Sequence, residues 1–426
     1  MKIFFLLFIS VTFSFFFGCS SSERFTKKEE AKVTLSGRDV RLLIDETVNE
    51  KEIPVDSECY LFKEEEKIRL ITPGETLNYS ASKNMVSVQA GNKFYEGDYF
   101  QVIPADLNGF LYCNDMKLRG KLKIINNSGS VMVINTLDLE SYLKGVIPRE
   151  MPLGKGNENY EALKAFAICA RTYTMQKMNL STGQAGSKKY FDLYVDVRDQ
   201  VYGGVEVEQP ISNKAVDETR NLILTYEGKP AKVFYSSTCG GMTEDAKNIF
   251  GVDNAPYLKT IEDGNHPYCI ISHAFEWKEI YSPKLFVERI MNNTDQYLLE
   301  SQDYELNDVK VLSRFESGRV NELSVELTEA NAGEKKFITL KGNNIRWIIR
   351  TADSRSILKS IWFDVELDEN KNVTITGKGY GHGVGLCQYG AIGQSRAGKN
   401  FQEILSHYFP GTVIKRLSER IPSGQD

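Results

Sequence analysis

The chain has 426 residues, 41% hydrophobic and 26% charged, which is the composition of an ordinary folded protein with material for one large or two medium cores. A net charge of -5 argues against nucleic acid, whose phosphates demand a basic surface. A neutral or weakly charged polymer is easier to accommodate.

After Met1-Lys2 comes an uncharged run from Ile3 to Gly18, rich in Phe, Leu and Ile. At about sixteen residues it is shorter than the roughly twenty of a bilayer span, so residues 1–18 read as a signal peptide. The run ends at Gly18-Cys19, followed by Ser20, Ser21 and Ser22, and a small residue before cysteine is the lipoprotein processing pattern. Cys19 is therefore the expected lipidation site, although Phe15, Phe16 and Phe17 depart from the usual Leu and small residues. Plain secretion and an uncleaved anchor are the alternatives, and all three put the body outside the cytoplasm. Residues 19–33 are polar and charged and read as a tether.

Residues 34–115 show short alternating runs broken by Pro73-Gly74, Gly91-Asn92 and Asn108-Gly109, the chemistry of strands and hairpins. Leu139, Tyr142, Leu143 and Val146 then recur at helical spacing, and a second helix is expected from about Asn159 to Met178. Beyond it come a β-rich stretch from Leu222 to Ser237, a helix near Pro283 to Met291, and strands over Val320 to Leu327 and Ile361 to Leu367. A helix from about Asn400 to Phe409, stopped by Pro410-Gly411, precedes a polar tail at 416–426. The pattern favours an α+β fold, a mixed β-rich body with a few helices preceded by a small β-rich region, over a doubly wound sheet.

The segment from Leu139 to Pro152 places Glu150 between Pro148 and Pro152 at the end of a helix. Prolines fix the backbone around it, and burial near Ile147 and Met151 would raise its pKa toward the range of a general acid. Lys164 and Arg171, seven residues apart, share one face of the next helix and need either structural ion pairs, with Glu161, Glu158 or Asp192, or a wet cleft. In Gly377-Lys378-Gly379-Tyr380-Gly381-His382-Gly383-Val384-Gly385 every second residue is glycine; in an extended chain one face would be bare backbone, open to close approach. No dinucleotide fingerprint, H-E-x-x-H, G-x-S-x-G or paired C-x-x-C occurs. Of the seven cysteines, six remain after Cys19, and Cys59 with Cys113 and Cys239 with Cys269 are candidate disulfides. Cys239, Cys269, His266 and His273 are suitable zinc ligands but lack a standard spacing, so no cofactor is expected and zinc stands as the alternative.

Six ordered blocks resemble the stage II sporulation protein D and amidase-enhancer family. They are Tyr142-Leu143-Lys144-Gly145-Val146 to Glu150-Met151-Pro152, Ala162-Leu163-Lys164-Ala165 to Ala170-Arg171-Thr172-Tyr173, Asp199-Gln200-Val201-Tyr202-Gly203-Gly204, Ser236-Ser237-Thr238-Cys239-Gly240-Gly241-Met242-Thr243, Pro256-Tyr257-Leu258, and the run from Gly379 to Gly385 with Gln388-Tyr389-Gly390-Ala391. Cys169 and Cys387 depart from the small residue and the serine usual there. The resemblance implies a catalytic domain over about 116–415 and a peptidoglycan lytic transglycosylase that favours strands stripped of stem peptides. It puts the catalytic glutamate at Glu150, and Lys164, Arg171, Gln200, Tyr202, Ser236, His382 and Gln388 around the cleft. The partners it implies are peptidoglycan glycan strands and a cell-wall amidase, with the membrane reached through the N-terminal lipid. A rival within the family is a glycan-binding enhancer of an amidase that cuts nothing; a rival outside it is a structural lipoprotein joining wall to membrane.

Overall fold

The computed structural model describes residues 39–417, apart from 107, 184–189, 295–302 and 332. The expected signal peptide, Cys19, the tether and most of the polar tail lie outside the described residues. Among the described residues the fold is α+β and rich in strands, with seven sheets and eight α-helices. No helix among them is long and apolar enough to cross a membrane.

A seven-stranded sheet organises the N-terminal half, in the order Leu193–Tyr194, Asp39–Thr47, Ser130–Asp138, Lys121–Asn127, Tyr99–Pro104, Cys59–Lys63, Glu66–Ile71. It is antiparallel except where Leu193–Tyr194 runs parallel to Asp39–Thr47. Alternation explains its inner face: Leu122 and Ile124 turn inward from one strand, Phe100 and Val102 from its neighbour. The sheet runs across residues 115–116 without a seam, because Tyr99–Pro104 pairs directly with Lys121–Asn127. A four-stranded meander, Lys51–Pro54, Thr76–Ser82, Met85–Ala90 and Lys93–Gly97, packs into the same core through Leu77, Tyr79, Val86 and Val88.

Helix Leu139–Glu150 starts as soon as strand Ser130–Asp138 ends, because the Asp138 carboxylate accepts hydrogen bonds from the Glu140 and Ser141 amides at 3.0 and 3.2 Å. Such a cap contributes about 1 kcal/mol. Tyr142, Leu143, Val146 and Ile147 bury its apolar face. Pro148 lies inside its last turn, and Met151, which precedes Pro152, leaves the helix in extended conformation, as a residue before proline must. Helix Tyr160–Gly183 crosses behind it, with Leu163, Phe166, Ala167 and Ala170 fully buried.

A second core lies over residues 277–375, built from Trp277, Tyr281, Phe286, Leu323, Val325, Phe363 and Ile375 among others. Two three-stranded sheets and helices Pro283–Asn293 and Asn344–Ile349 enclose it. The domain expected over about 116–415 spans this second core as well as part of the first.

The glycine run corrects an expectation. It is extended only to Lys378; Gly379, Gly381, Gly383 and Gly385 all have positive φ, from 73° to 111°, so the chain coils instead of lying flat. The close approach expected of bare backbone is present: a Cβ on Gly381 would stand 2.6 Å from Ser236 Cβ, and one on Gly385 would stand 2.2 Å from the Phe234 carbonyl oxygen. The coiled run feeds Leu386–Cys387, which pairs in parallel with Tyr235–Ser236.

Candidate functional site

Glu150 stands at the C-terminal end of its helix, half-buried, at a cleft of about 540 Å³. The backbone N–H of Val201 donates to Glu150 Oε1 at 2.7 Å, and the Gln388 amide donates to the Glu150 backbone carbonyl at 2.9 Å. Burial raises the carboxyl's pKa above the ordinary glutamate value; the Val201 N–H, the Gln388 amide and the Arg149 charge act in the opposite direction without cancelling it. The result is a restrained carboxyl that holds its proton better than a solvated one.

Val201 is aimed by its neighbours. Gln200 is fully buried, accepting from the Tyr142 hydroxyl at 3.0 Å and the Thr174 hydroxyl at 2.9 Å. Tyr202 lies so close to Gly145 that a Cβ there would stand 2.4 Å from its ring, and Gly203 N–H donates to the Gly145 carbonyl at 3.0 Å. The segment therefore docks on the glutamate's own helix through Gly145.

Ser236, His382 and Gln388 line the same cleft as Glu150. Ser236 Oγ accepts from Gly383 N–H at 3.2 Å, tying the strand wall to the coiled glycine run. His382 Nδ1 accepts from Val384 N–H at 3.0 Å, and the ring also hydrogen-bonds the Tyr235 backbone. Burial, reinforced by the Arg346 and Arg319 charges, holds its pKa down to about 3. His382 is thus neutral at physiological pH with both nitrogens engaged, which suits a residue that fixes the loop better than one that moves a proton.

Lys164, Arg171, Gln200 and Tyr202 are not in the cleft lining. Lys164 pairs with Glu161 at 2.5 Å. Arg171 is fully buried in a two-pronged pair with Glu140, at 2.9 and 2.6 Å, and also donates to the Leu222 carbonyl at 3.0 Å. Each cation meets a fixed partner away from the cleft, so the ion-pair alternative describes both. For Lys164 the partner is one of those named from the sequence; for Arg171 it is Glu140, which was not.

Four residues that sequence reasoning did not single out complete the cleft. Phe234 and Phe250 stack with ring centroids 4.3 Å apart, and His382 meets Phe250 edge-on at 5.0 Å, making an aromatic wall. Arg346, from the second core, donates to the Leu358 carbonyl at 2.8 Å and puts a buried cation in the cleft lining; burial lowers its pKa to about 10, so it stays charged. Asp199 is a second carboxylate, but it accepts from Tyr173 Oη at 2.8 Å and Tyr194 N–H at 2.9 Å and pairs with Lys177 at 2.7 Å. Asp199 and Tyr173 belong to the blocks that carry the family resemblance, whereas Arg346 carries no local signal.

All six described cysteines are free, so neither candidate disulfide is present. Cys239 and Cys269 do lie together, their sulfurs 3.6 Å apart, but the group is completed by Cys387 and Asp263 and not by His266 or His273. All four residues are buried. Burial, then the adjacent Cys269, push the Asp263 carboxyl up to about 8.

The family model described as stage II sporulation protein matches residues 127–226, the stretch that carries Glu150 and Val201. Stage II sporulation protein D of Bacillus amyloliquefaciens is 30% identical over 294 residues, covering 66% of this chain and 75% of that protein. This chain belongs to the stage II sporulation protein D family. An uncharacterized protein of Brachyspira hyodysenteriae is 30% identical over 356 residues, 84% of this chain and 86% of its own length. The amidase enhancer of Bacillus subtilis is 28% identical over 304 residues, of which this chain spans 40% of the relative's length. A model described as a domain of unknown function matches residues 270–385, which contain the second core.

Proposed function

We propose that this chain is an exported lytic transglycosylase that cleaves peptidoglycan glycan strands, with Glu150 as its single acid and base. One observation carries the reading: a carboxyl held by the Val201 amide in a cleft, with its proton affinity raised by burial. Glu150 gives its proton to the oxygen joining N-acetylmuramic acid to N-acetylglucosamine as the bond from that oxygen to C1 breaks. The resulting carboxylate takes the proton of the muramic acid's C6 hydroxyl while the C6 oxygen bonds to C1. A 1,6-anhydro ring forms, Glu150 regains its proton, and no water is consumed.

Hydrolysis would need a second carboxyl free to act as base or nucleophile. Asp199 is the other carboxylate of the cleft, and its oxygens are occupied by Tyr173, Tyr194 and Lys177. The Phe234–Phe250 wall suits the apolar faces of sugar rings, and Arg346 suits the lactyl carboxylate that strands without stem peptides expose. Lipidation of Cys19 would keep the enzyme at the membrane surface.

The second reading, an enhancer that binds glycan and stimulates a cell-wall amidase without cutting, draws support from the relative named amidase enhancer. Mass spectrometry of stem-peptide-free strands incubated with the wild-type chain and with Glu150→Gln separates the two. Anhydromuramyl fragments from the wild type alone support the transglycosylase. Absence of soluble fragments, with a partner amidase accelerated equally by both proteins, supports the enhancer.

A further inference from the structure

We propose that Cys239, Cys269, Cys387 and Asp263 form a closed, four-coordinate zinc site that clamps together the segments carrying one wall of the cleft. Their ligand atoms all lie within 4.8 Å of one another, in a group remote in sequence but fully enclosed. Around tetrahedral zinc, with zinc–sulfur bonds of about 2.3 Å, two sulfurs stand roughly 3.7 Å apart. Cys239 and Cys269 are at 3.6 Å, unbonded to each other and already at the required spacing.

Hydrogen-bond donors already face two of the four ligands. Cys387 Sγ accepts two backbone hydrogen bonds, from Cys239 N–H at 3.1 Å and Gly390 N–H at 3.2 Å, donors that a metal-bound thiolate would keep. Asp263 is oriented by the backbone N–H of Cys269 at 2.8 Å and, from outside the group, by the Tyr408 hydroxyl at 2.6 Å, as an outer partner orients a ligating carboxylate. Arg319 is buried beside the sulfurs; its Nη2 donates to the Cys239 and Met242 carbonyls, while its Nε and Nη1 have no hydrogen-bond partner. Three thiolates and a carboxylate carry four negative charges. Zinc reduces these to two, and Arg319 offsets one more. A sulfur-rich set also selects zinc over magnesium or calcium.

Four protein ligands leave no open position, so the site is structural and the cleft chemistry does not pass through it. Its effect on the cleft is through the chain: Cys239 follows Ser236 by three residues, and Cys387 immediately precedes Gln388, which holds the Glu150 carbonyl. The zinc joins both to the 263–269 turn.

The test is elemental analysis of the mature chain purified under reducing conditions without chelator and then equilibrated with zinc, together with the optical spectrum of the cobalt(II) form. The expected result is one zinc per chain, and for cobalt the strong visible bands of tetrahedral geometry with thiolate charge-transfer absorption. Cys387→Ser keeps an acceptor for the Gly390 amide and should fold, yet bind zinc at least about tenfold more weakly; Asp263→Asn should do the same. A natively folded chain that takes up no zinc overturns the proposal. So does unchanged affinity in both variants, or a chromophore showing that iron is the metal retained.

Discussion

The Gln388 side-chain amide reaches across 238 residues of sequence to the Glu150 backbone carbonyl, at 2.9 Å, joining the end of one helix to the first residue of another. With Val201 on the carboxyl oxygen, Glu150 is fixed at both its backbone and its side chain.

Gln388→Ala removes the backbone restraint and leaves the carboxyl. Displacing a catalytic group by a fraction of an ångström to an ångström costs up to about a hundredfold in rate, while one lost hydrogen bond costs about 1 kcal/mol in stability. The variant is expected to lose about 10- to 100-fold in kcat with a smaller change in KM and a Tm lowered by only a few degrees. Steady-state rates on glycan strands, read alongside thermal melts, check this.

Glu150→Gln is expected to abolish cleavage and to stabilise the fold at neutral pH. Because burial raises the native pKa, the folded chain binds this proton more tightly than the unfolded chain, so its contribution is present at low pH and is lost as pH rises through the native value. Glutamine cannot ionise and avoids the loss. Melting curves from pH 4 to 8 should show the variant ahead at pH 8 and the gap closing below about 4.5, the ordinary glutamate value.

His382 has the opposite sign. Its native pKa of about 3 lies below the ordinary 6.5, so the unfolded chain takes up a proton first, and stability drains away as pH falls between those two values. His382→Gln should flatten the wild-type decline over that interval. In the rate profile His382 should contribute no limb between pH 5 and 8, the fall toward high pH belonging to Glu150.

Arg171→Ala leaves Glu140 buried without its cation, a change that costs about 3–5 kcal/mol. Arg171→Lys keeps the charge but not the two-pronged geometry and should fall between. Chemical denaturation measures both. The folded fraction of either variant should cleave strands at the wild-type rate, since Arg171 lines no part of the cleft.

Glu150 and its helix were legible because the signals are local: apolar spacing, and prolines on both sides of the carboxylate; the capping Asp138 came only with the fold. The role of Val201 was not, because it acts through a backbone N–H that any residue possesses. Arg171 was placed around the cleft by resemblance, yet its partner Glu140 lies 31 residues away on the preceding helix, and nothing in a periodic pattern announces which acid a buried cation will meet. Alternating glycines suit a flat strand as well as a coil, and only the positive φ values of the fold distinguish them. Of the sulfur group, only the proximity of Cys239 and Cys269 is suggested by the sequence; Asp263 and Cys387 join them through tertiary packing alone.

The central claim is that one carboxyl suffices because the sugar's own hydroxyl, and not water, attacks C1. Digestion of stem-peptide-free strands in water enriched in oxygen-18 tests it directly by mass spectrometry of the new ends. The account predicts anhydromuramyl ends that carry no label. Labelled, hydrated reducing ends would contradict it.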